Sequence, residues 1–209
     1  MKKIFMAAMF FFVFAATAGA SSLEGFYLGG SLGAAGSDNF DTLQNQETAL
    51  GNSTDLEESN FSYGIQAGYE KPLINEQSLL GIRIGVDWYS DVSLEIINDA
   101  EKNTSNGYSI PVTVYYKYLL NDSKIAFLGG LGLTFINMTL NEKDTTTGDS
   151  IDYDDSKTCP HITAGVEYRF SELFALSLDF KYAINAEIKR NGTKRDLGFQ
   201  GALAARFYL

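Results

Sequence analysis

The last thirteen residues constrain the fold more than any other stretch of the chain, because large apolar side chains alternate there with small or polar ones. One parity holds Leu197, Phe199, Leu203, Ala205, Phe207 and Leu209, and the other holds Gly198, Gln200, Ala202, Ala204, Arg206 and Tyr208. Successive side chains of a β-strand point to opposite faces, so this alternation predicts a strand. A tilted strand of about 9–11 residues can cross a bilayer. Because hydrocarbon offers no partner to a backbone N–H or C=O, a spanning strand requires a closed barrel.

The first twenty residues predict an export signal. Lys2 and Lys3 precede an apolar run that ends at Ala16, and the small residues 18–20 supply a cleavage site before Ser21. The run is shorter than the roughly 20 residues of a membrane-spanning helix. We therefore expect a signal peptide over residues 1–20 and one mature domain over residues 21–209. No cysteine follows the cleavage site, so lipoprotein processing is not expected.

The composition narrows the class of protein. The formal charge of −10 becomes −12 when the two signal lysines are removed. Such acidity argues against a nucleic-acid binder, because those proteins usually carry a basic patch. Cys159 is the only cysteine, so no internal disulfide can form. The chain is not strongly apolar on average, which agrees with barrel strands, whose alternation averages out.

Seven further segments show the same alternation as the C-terminal one. The predicted strands cover residues 25–35, 61–71, 78–90, 107–120, 124–137, 160–170, 174–185 and 197–209. Long polar loops (36–60, 95–106, 141–158 and 187–196) alternate with short turns (73–77, 121–123 and 171–173). Outer-membrane barrels have short periplasmic turns, longer surface loops and an even strand count. The sequence therefore predicts an all-β fold, an eight-stranded antiparallel up-and-down transmembrane β-barrel.

Every charged residue inside the predicted strand cores falls on a single parity, which we assign to the lumen. These residues are Glu70, Arg83, Asp87, Lys117, Glu167, Arg169, Asp179, Lys181 and Arg206. A lysine or arginine facing lipid at the bilayer midplane would cost roughly 2–4 kcal/mol. The two signs are nearly balanced, which predicts a lumen filled by paired charges, since an unpaired buried charge is costly. A soluble barrel of the lipocalin type would instead have an apolar inner face.

The opposite parity is apolar and carries aromatic rings near both ends of the strands. The rings are those of Tyr69, Trp88, Tyr108, Tyr118, Phe127, Phe135, Tyr168, Phe170, Phe174 and Phe207. We expect them to form two aromatic girdles, one at each membrane interface.

The mature chain resembles the small outer-membrane proteins of Gram-negative bacteria, the OmpA-like and opacity-type β-barrel proteins. The resemblance is carried by the signal segment, the start Gly-Phe-Tyr-Leu-Gly-Gly-Ser-Leu-Gly from Gly25, the glycine-rich fifth strand and the strand at the C-terminus. It implies that residues 197–209 are recognised by the outer-membrane assembly machinery. Family members usually end in phenylalanine, whereas this sequence has Leu209 with Phe207 two residues before it. The sequence also ends with the barrel, so the resemblance implies no peptidoglycan-binding domain.

Residues that could carry chemistry are few. Some eight-stranded barrels modify lipid A with a serine that a histidine activates. His161, the single histidine, has Thr163 two residues on, but its parity faces the lumen. Cys159 and His161 provide only two ligands, fewer than a zinc site needs. The acidic run from Asp149 to Asp155 lacks the spacing of an EF-hand. We therefore expect no catalytic residue, no metal and no cofactor.

We interpret the chain as a non-enzymatic integral outer-membrane protein whose barrel displays acidic surface loops. A barrel this narrow is normally filled by its own side chains, which argues against a large pore. Three alternatives remain open: an adhesin or ligand-binding protein that uses loops 36–60 and 141–158, a small low-conductance pore, and, last, a lipid A-modifying enzyme. The expected partners are outer-membrane lipid, the assembly machinery and an extracellular ligand, without nucleic acid, and we expect a monomer.

Overall fold

The computed structural model describes residues 25–39, 54–57, 61–73, 77–96, 101–120, 124–144, 147–190 and 193–209. Ten strands lie in these ranges: β1 (Gly25–Asn39), β2 (Thr54–Glu57), β3 (Phe61–Pro72), β4 (Ser78–Ile96), β5 (Glu101–Leu119), β6 (Ile125–Asp144), β7 (Ser150–Arg169), β8 (Phe174–Ala183), β9 (Glu187–Arg190) and β10 (Thr193–Tyr208). The predicted signal peptide and the predicted turn at 121–123 lie outside the described residues. Among the residues described, no helix is long and apolar enough to cross a membrane.

Eight of the ten strands form a closed barrel. Each pairs antiparallel with its neighbour in the order β1-β3-β4-β5-β6-β7-β8-β10, and β10 returns to pair with β1. The two short strands are additions to this wall, since β2 pairs with β4 and β9 pairs with β10. The predicted eight-stranded up-and-down barrel is therefore confirmed. Strand alternation sorts the side chains: Leu131 on the outer face is 68 % exposed, whereas Lys117 on the inner face is 0 % exposed.

Three of the predicted loops (95–106, 141–158 and 187–196) are wrong, because strands occupy most of them. The last of these segments holds β9 and the first residues of β10, which pair with each other. The segment predicted as the loop 95–106 holds the end of β4 and the start of β5, which stay paired up to Ile96 and Glu101. The segment predicted as the loop 141–158 likewise continues β6 and β7, which pair as far as Lys143 and Ser150. Polar residues lie on both faces of these extensions, so they lack the apolar alternation by which the other strands were recognised. The barrel wall is thus prolonged beyond its apolar band as β-hairpins.

The predicted parity fails at Leu197. It was expected on the outer face, yet it is buried with Ala35 in an apolar cluster. The cause is an irregularity in the pairing of β1 with β10: Ala35 pairs with Gln200, while Ser37 pairs with Asp196. Such a bulge places extra residues in one strand and re-aims a side chain. Leu197 therefore turns inward while Phe199 keeps the outward parity.

The seam between β1 and β10 is close at two glycines of β1. An ideal Cβ on Gly29 would lie 2.6 Å from the carbonyl oxygen of Ala205, and one on Gly33 would overlap the carbonyl oxygen of Gly201. Real Cβ atoms do not approach a carbonyl oxygen so closely. Glycine is therefore required at these two positions to let the first and last strands of the barrel meet.

Candidate functional site: the lumen of the barrel

An ionic cluster fills the lumen at the end with the short turns. Lys117 from β5 contacts Glu70 from β3, and its Nζ lies 3.0 Å from Oε1 of Glu167 from β7. Arg206 from β10 donates to Oε2 of Glu167 at 2.5 Å. The side chains of these four residues are at most 1 % exposed. Arg169 lies at the rim of the cluster, 3.7 Å from Glu70 and 3.6 Å from Glu167.

A second set of charges lies further along the lumen towards the hairpins. Asp179 accepts from Arg83 at 2.6 Å and from Arg206 at 2.5 Å, so it joins this set to the ionic cluster. Lys181 pairs with Asp87 at 2.9 Å. The structure thus places all nine charged residues of the predicted network on the lumen side. Five are cations and four are anions, so the acidity of the chain lies outside the lumen.

Three tyrosines belong to the lumen network although the predicted set contained only charges. Tyr115 donates to Oε1 of Glu70 at 2.7 Å, and its hydroxyl oxygen lies 3.2 Å from that of Tyr27. The hydroxyl of Tyr208 accepts from Lys117 Nζ at 2.8 Å. The ring of Tyr115 lies where a Cβ on Gly81 would be, and Gly81 is its direct partner on β4. A glycine opposite an inward tyrosine on the neighbouring strand is the sequence signal that could have revealed this packing.

The middle of the lumen holds a small polar cavity of about 50 Å³. Its lining includes Gln66, Asp179 and Gln200, whose Nε2, Oδ1 and Oε1 atoms respectively are buried without a hydrogen bond. A cavity of this size has room for only about one or two water molecules.

The environment of His161 does not resemble a hydrolase site. Its Nε2 lies 2.9 Å from the hydroxyl of Thr113, and its Nδ1 lies 2.8 Å from that of Thr134. The ring is 2 % exposed and faces the lumen, away from lipid. Thr163, the suspected partner, instead donates to the backbone carbonyl of Phe180 at 2.9 Å. No described carboxylate is hydrogen-bonded to the ring to orient it as a base.

A cluster of buried apolar side chains, the apolar plug, lies in the lumen at the end with the hairpins. It consists of Ala35, Tyr89, Ile136, Met138, Cys159, Ala183, Ala186 and Leu197. The sequence pattern does not predict this cluster, because an apolar inward residue near the end of a strand cannot be told from the start of a loop. The thiol of Cys159 is buried there, and its Sγ lies 3.5 Å from the carbonyl oxygen of Asn185. The described residues contain no group of three His, Cys, Asp or Glu side chains that could hold a metal ion.

All ten predicted girdle residues lie on the outer face. At the short-turn end, neighbouring rings touch in a row: Tyr168 and Phe170 at 4.8 Å, Phe170 and Phe174 at 5.6 Å, and Phe174 and Phe207 at 5.0 Å between centroids. At the other end Trp88 stacks on Tyr63 at 5.6 Å. Their contact with the membrane interfaces stays a prediction.

Comparisons with known proteins agree with this architecture. The structure is similar to a major outer membrane protein from Thermus thermophilus (14% identity, TM-score 0.55, 90% of this chain and 100% of that chain). It is also similar to the outer membrane protein OprG from Pseudomonas aeruginosa (12% identity, TM-score 0.54, 88% and 96%). The N-terminal β-barrel domain of Pseudomonas aeruginosa OprF gives 14% identity, a TM-score of 0.50, and coverage of 89% and 98%.

The sequence itself matches a family model over nearly its whole length. No curated protein sequence matches this chain. The model described as "outer membrane protein beta-barrel domain" matches residues 5–207. A continuous match of this extent, together with the closed eight-stranded wall, decides the assignment. The chain belongs to the outer-membrane β-barrel domain family and is an outer-membrane protein.

Proposed function

We propose that this protein is a non-enzymatic, non-conducting scaffold that holds rigid acidic β-hairpins above the outer membrane. The observation that carries the proposal is the contrast between the two parts of the barrel wall. Inside the apolar band, ion pairs and the apolar plug fill the lumen. Beyond it, strands β4 to β7 continue as paired hairpins. A barrel with a filled lumen and an extended wall is suited to presenting surface residues rather than to conducting solutes.

The hairpin of β6 and β7 supports a display role because it is held in place by its side chains as well as by its backbone. Asn141 donates to Asp152 at 2.5 Å, and Thr139 donates to Asp154 at 2.8 Å. From Asn137 to Asp144, at about 3.4 Å per residue, this hairpin extends roughly 25 Å. Its acidic side chains are therefore presented at fixed spacing, as a recognition surface requires.

The absence of conductance can be tested with planar bilayers. We expect the purified full-length barrel to give no discrete current steps, because the ionic cluster and the apolar plug obstruct the lumen in series. Detergent without protein is the control for the baseline. Regular steps at every insertion would contradict the proposal and favour the small low-conductance pore.

A ligand-binding role is the second candidate, favoured by the acidic hairpin of β6 and β7. One variant replaces residues 139–154 by an Asn-Gly turn that joins the paired residues Met138 and Asp155. A second variant keeps the hairpin and changes Asp149, Asp152, Asp154 and Asp155 to asparagine, so that only the charge is removed. We expect cells with the wild-type protein to bind immobilised polylysine but not dextran sulfate, and both variants to lose this binding. If both variants bind as the wild type does, the hairpin is not the binding surface.

The enzymatic alternative is tested at His161. We expect His161→Ala to leave the acylation of lipid A in cells unchanged, because both ring nitrogens already bind threonine hydroxyls inside the lumen. Mass spectrometry of extracted lipid A gives the readout, with a strain lacking the protein as the reference. A change in lipid A acylation in cells that carry His161→Ala would instead support the enzymatic alternative.

A further inference from the structure

The ladder between β4 and β5 is interrupted inside the apolar band. Pairing runs from the short-turn end up to Ile84 opposite Val112, and it resumes in the same register at Asp87. That register would place Gly85 opposite Pro111, yet the ladder does not pair these two residues. The interruption therefore coincides with the proline of β5.

The alternation of the ladder identifies the hydrogen bond that is missing. The amide of Leu119 donates to the carbonyl oxygen of Gln77 at 2.8 Å, in the register that β4 and β5 share. Hydrogen-bonded and non-hydrogen-bonded pairs alternate along an antiparallel ladder. Gly85 and Pro111 lie an even number of residues from that pair on each strand, so theirs is a hydrogen-bonded position. Because proline has no N–H, the ladder supplies no donor to the carbonyl oxygen of Gly85.

A polar cavity borders this carbonyl group. Hydrocarbon offers no hydrogen bond, so an acceptor without a donor is costly inside the apolar band. Gly85 and Pro111 both line the cavity of about 50 Å³ in the lumen. The donor that the wall lacks can therefore be supplied from the lumen side.

Three buried side-chain atoms with unmet hydrogen bonds belong to residues of the same cavity. They are Nε2 of Gln66, Oδ1 of Asp179 and Oε1 of Gln200. Together with the carbonyl oxygen of Gly85, the set contains one donor and three acceptors. The four groups come from β3, β8, β10 and β4, so no side chain of a single strand can satisfy them all.

The charge of the lining decides which kind of molecule the cavity takes. Arg83 pairs with Asp179 at 2.6 Å, and Lys181 pairs with Asp87 at 2.9 Å, so the cations and anions that line the cavity are balanced. A bound ion would add an uncompensated charge to a buried site, which is costly. A neutral molecule that both donates and accepts avoids this cost, and the volume admits only about one or two water molecules.

We propose that the cavity is a specific binding site for one or two water molecules, which donate to the carbonyl oxygen of Gly85 in place of an amide at residue 111. The same water links that oxygen to Asp179 and Gln200, since a buried water typically makes about three hydrogen bonds. Pro111 keeps the site hydrated, because any other residue there would bring an N–H of its own. The bound water is thus part of the barrel wall.

NMR of the full-length protein in detergent micelles tests the site, with the side-chain amide of Gln66 as the reporter. We expect cross-relaxation between its protons and a long-lived water, which the rotating-frame spectrum separates by sign from proton exchange. Gly85→Val should abolish this signal by filling the cavity. The matched control, Gly129→Val, adds the same group on the outer face, where no atom lies within 4 Å of a Cβ, and should keep the signal.

The heat-dependent shift of the barrel on a gel verifies that each variant is folded. The wild type alone is decisive if Gly85→Val does not fold: a folded wild-type barrel without the long-lived water signal would overturn the proposal. Equal signals in folded Gly85→Val and Gly129→Val would place the water elsewhere and overturn it as well.

X-ray diffraction tests the contact with the wall. In the wild type we expect a water oxygen about 2.7–3.2 Å from the carbonyl oxygen of Gly85. In Pro111→Ala the amide of residue 111 should donate to that oxygen instead, whereas Pro160→Ala, on the outer face of β7, should leave the water in place. Wild-type density that makes no contact with Gly85 would contradict the proposal. An anomalous signal at the site in crystals grown with a thallium salt would show a cation and contradict it too.

Discussion

Removal of the Lys117 ammonium is the sharpest test of the ionic cluster. In Lys117→Met, Glu167 keeps Arg206 at 2.5 Å. Glu70 is left with the hydroxyls of Tyr115 at 2.7 Å and Tyr208 at 3.4 Å, and with Arg169 at 3.7 Å. Glu70 is 0 % exposed, so its charge can gain little from water. Loss of one partner of a buried ion pair typically costs about 3–5 kcal/mol. We expect the free energy of unfolding to fall by about 3 kcal/mol, the lower end of that range, because Arg169 remains nearby.

A double variant tests whether the loss of stability comes from the unpaired charge of Glu70. Lys117→Met combined with Glu70→Gln removes both members of the pair and keeps an acceptor for Tyr115. Urea titration in detergent micelles, followed by tryptophan fluorescence, measures the midpoint. With a slope of about 1–3 kcal/mol per molar urea, a loss of about 3 kcal/mol lowers the midpoint by about 1–3 M. The double variant should recover most of that loss. A single variant as stable as the wild type, or a double variant no better than the single one, would refute the reasoning.

Two further substitutions probe the packing of the wall. Gly81→Ala should destabilise the barrel by about 1–3 kcal/mol, because the new methyl group meets the ring of Tyr115, whereas Gly129→Ala, which has no atom within 4 Å of its Cβ, should be close to neutral; equal midpoints in the urea titration would contradict this. Leu131→Arg should cost roughly 2–4 kcal/mol if its outward face meets lipid at mid-membrane. Its control is Ser156→Arg in the exposed hairpin, and a loss of the same size there would show that lipid contact is not the cause.

Much of the barrel could be predicted because lipid enforces a strict rule within the apolar band. Outward residues such as Ile65 and Leu131 must be apolar, and charges such as Glu167 must turn inward, so each strand shows its period in the sequence. The rule ends where the wall leaves the apolar band. At Asn141 and Glu142 polar side chains lie on opposite faces, and the hairpin there depends on backbone pairing that has no compositional signature.

The interior of the lumen was only partly predictable for a different reason. Parity assigns a side chain to the inner face, but it does not say what that side chain meets across the barrel. The pairing of Arg83 with Asp179 joins residues 96 positions apart, and this choice depends on the stagger of all the strands between them. Leu197 shows the same limit locally, since one bulge between Ala35 and Ser37 reverses the face on which it lies.

The close seam between β1 and β10 limits how the cylinder can be completed. If the two strands slipped by two residues, Ser31 or Ala35 would occupy the place of Gly33, and its Cβ would collide with the carbonyl oxygen of Gly201. A slip by one residue would turn the polar side chains of β10 outward and its apolar side chains toward the lumen. The two-residue slip is disfavoured by the steric clash, and the one-residue slip is disfavoured by the cost of placing polar side chains in lipid. The first and last strands of the barrel therefore select a single register in which the cylinder can close.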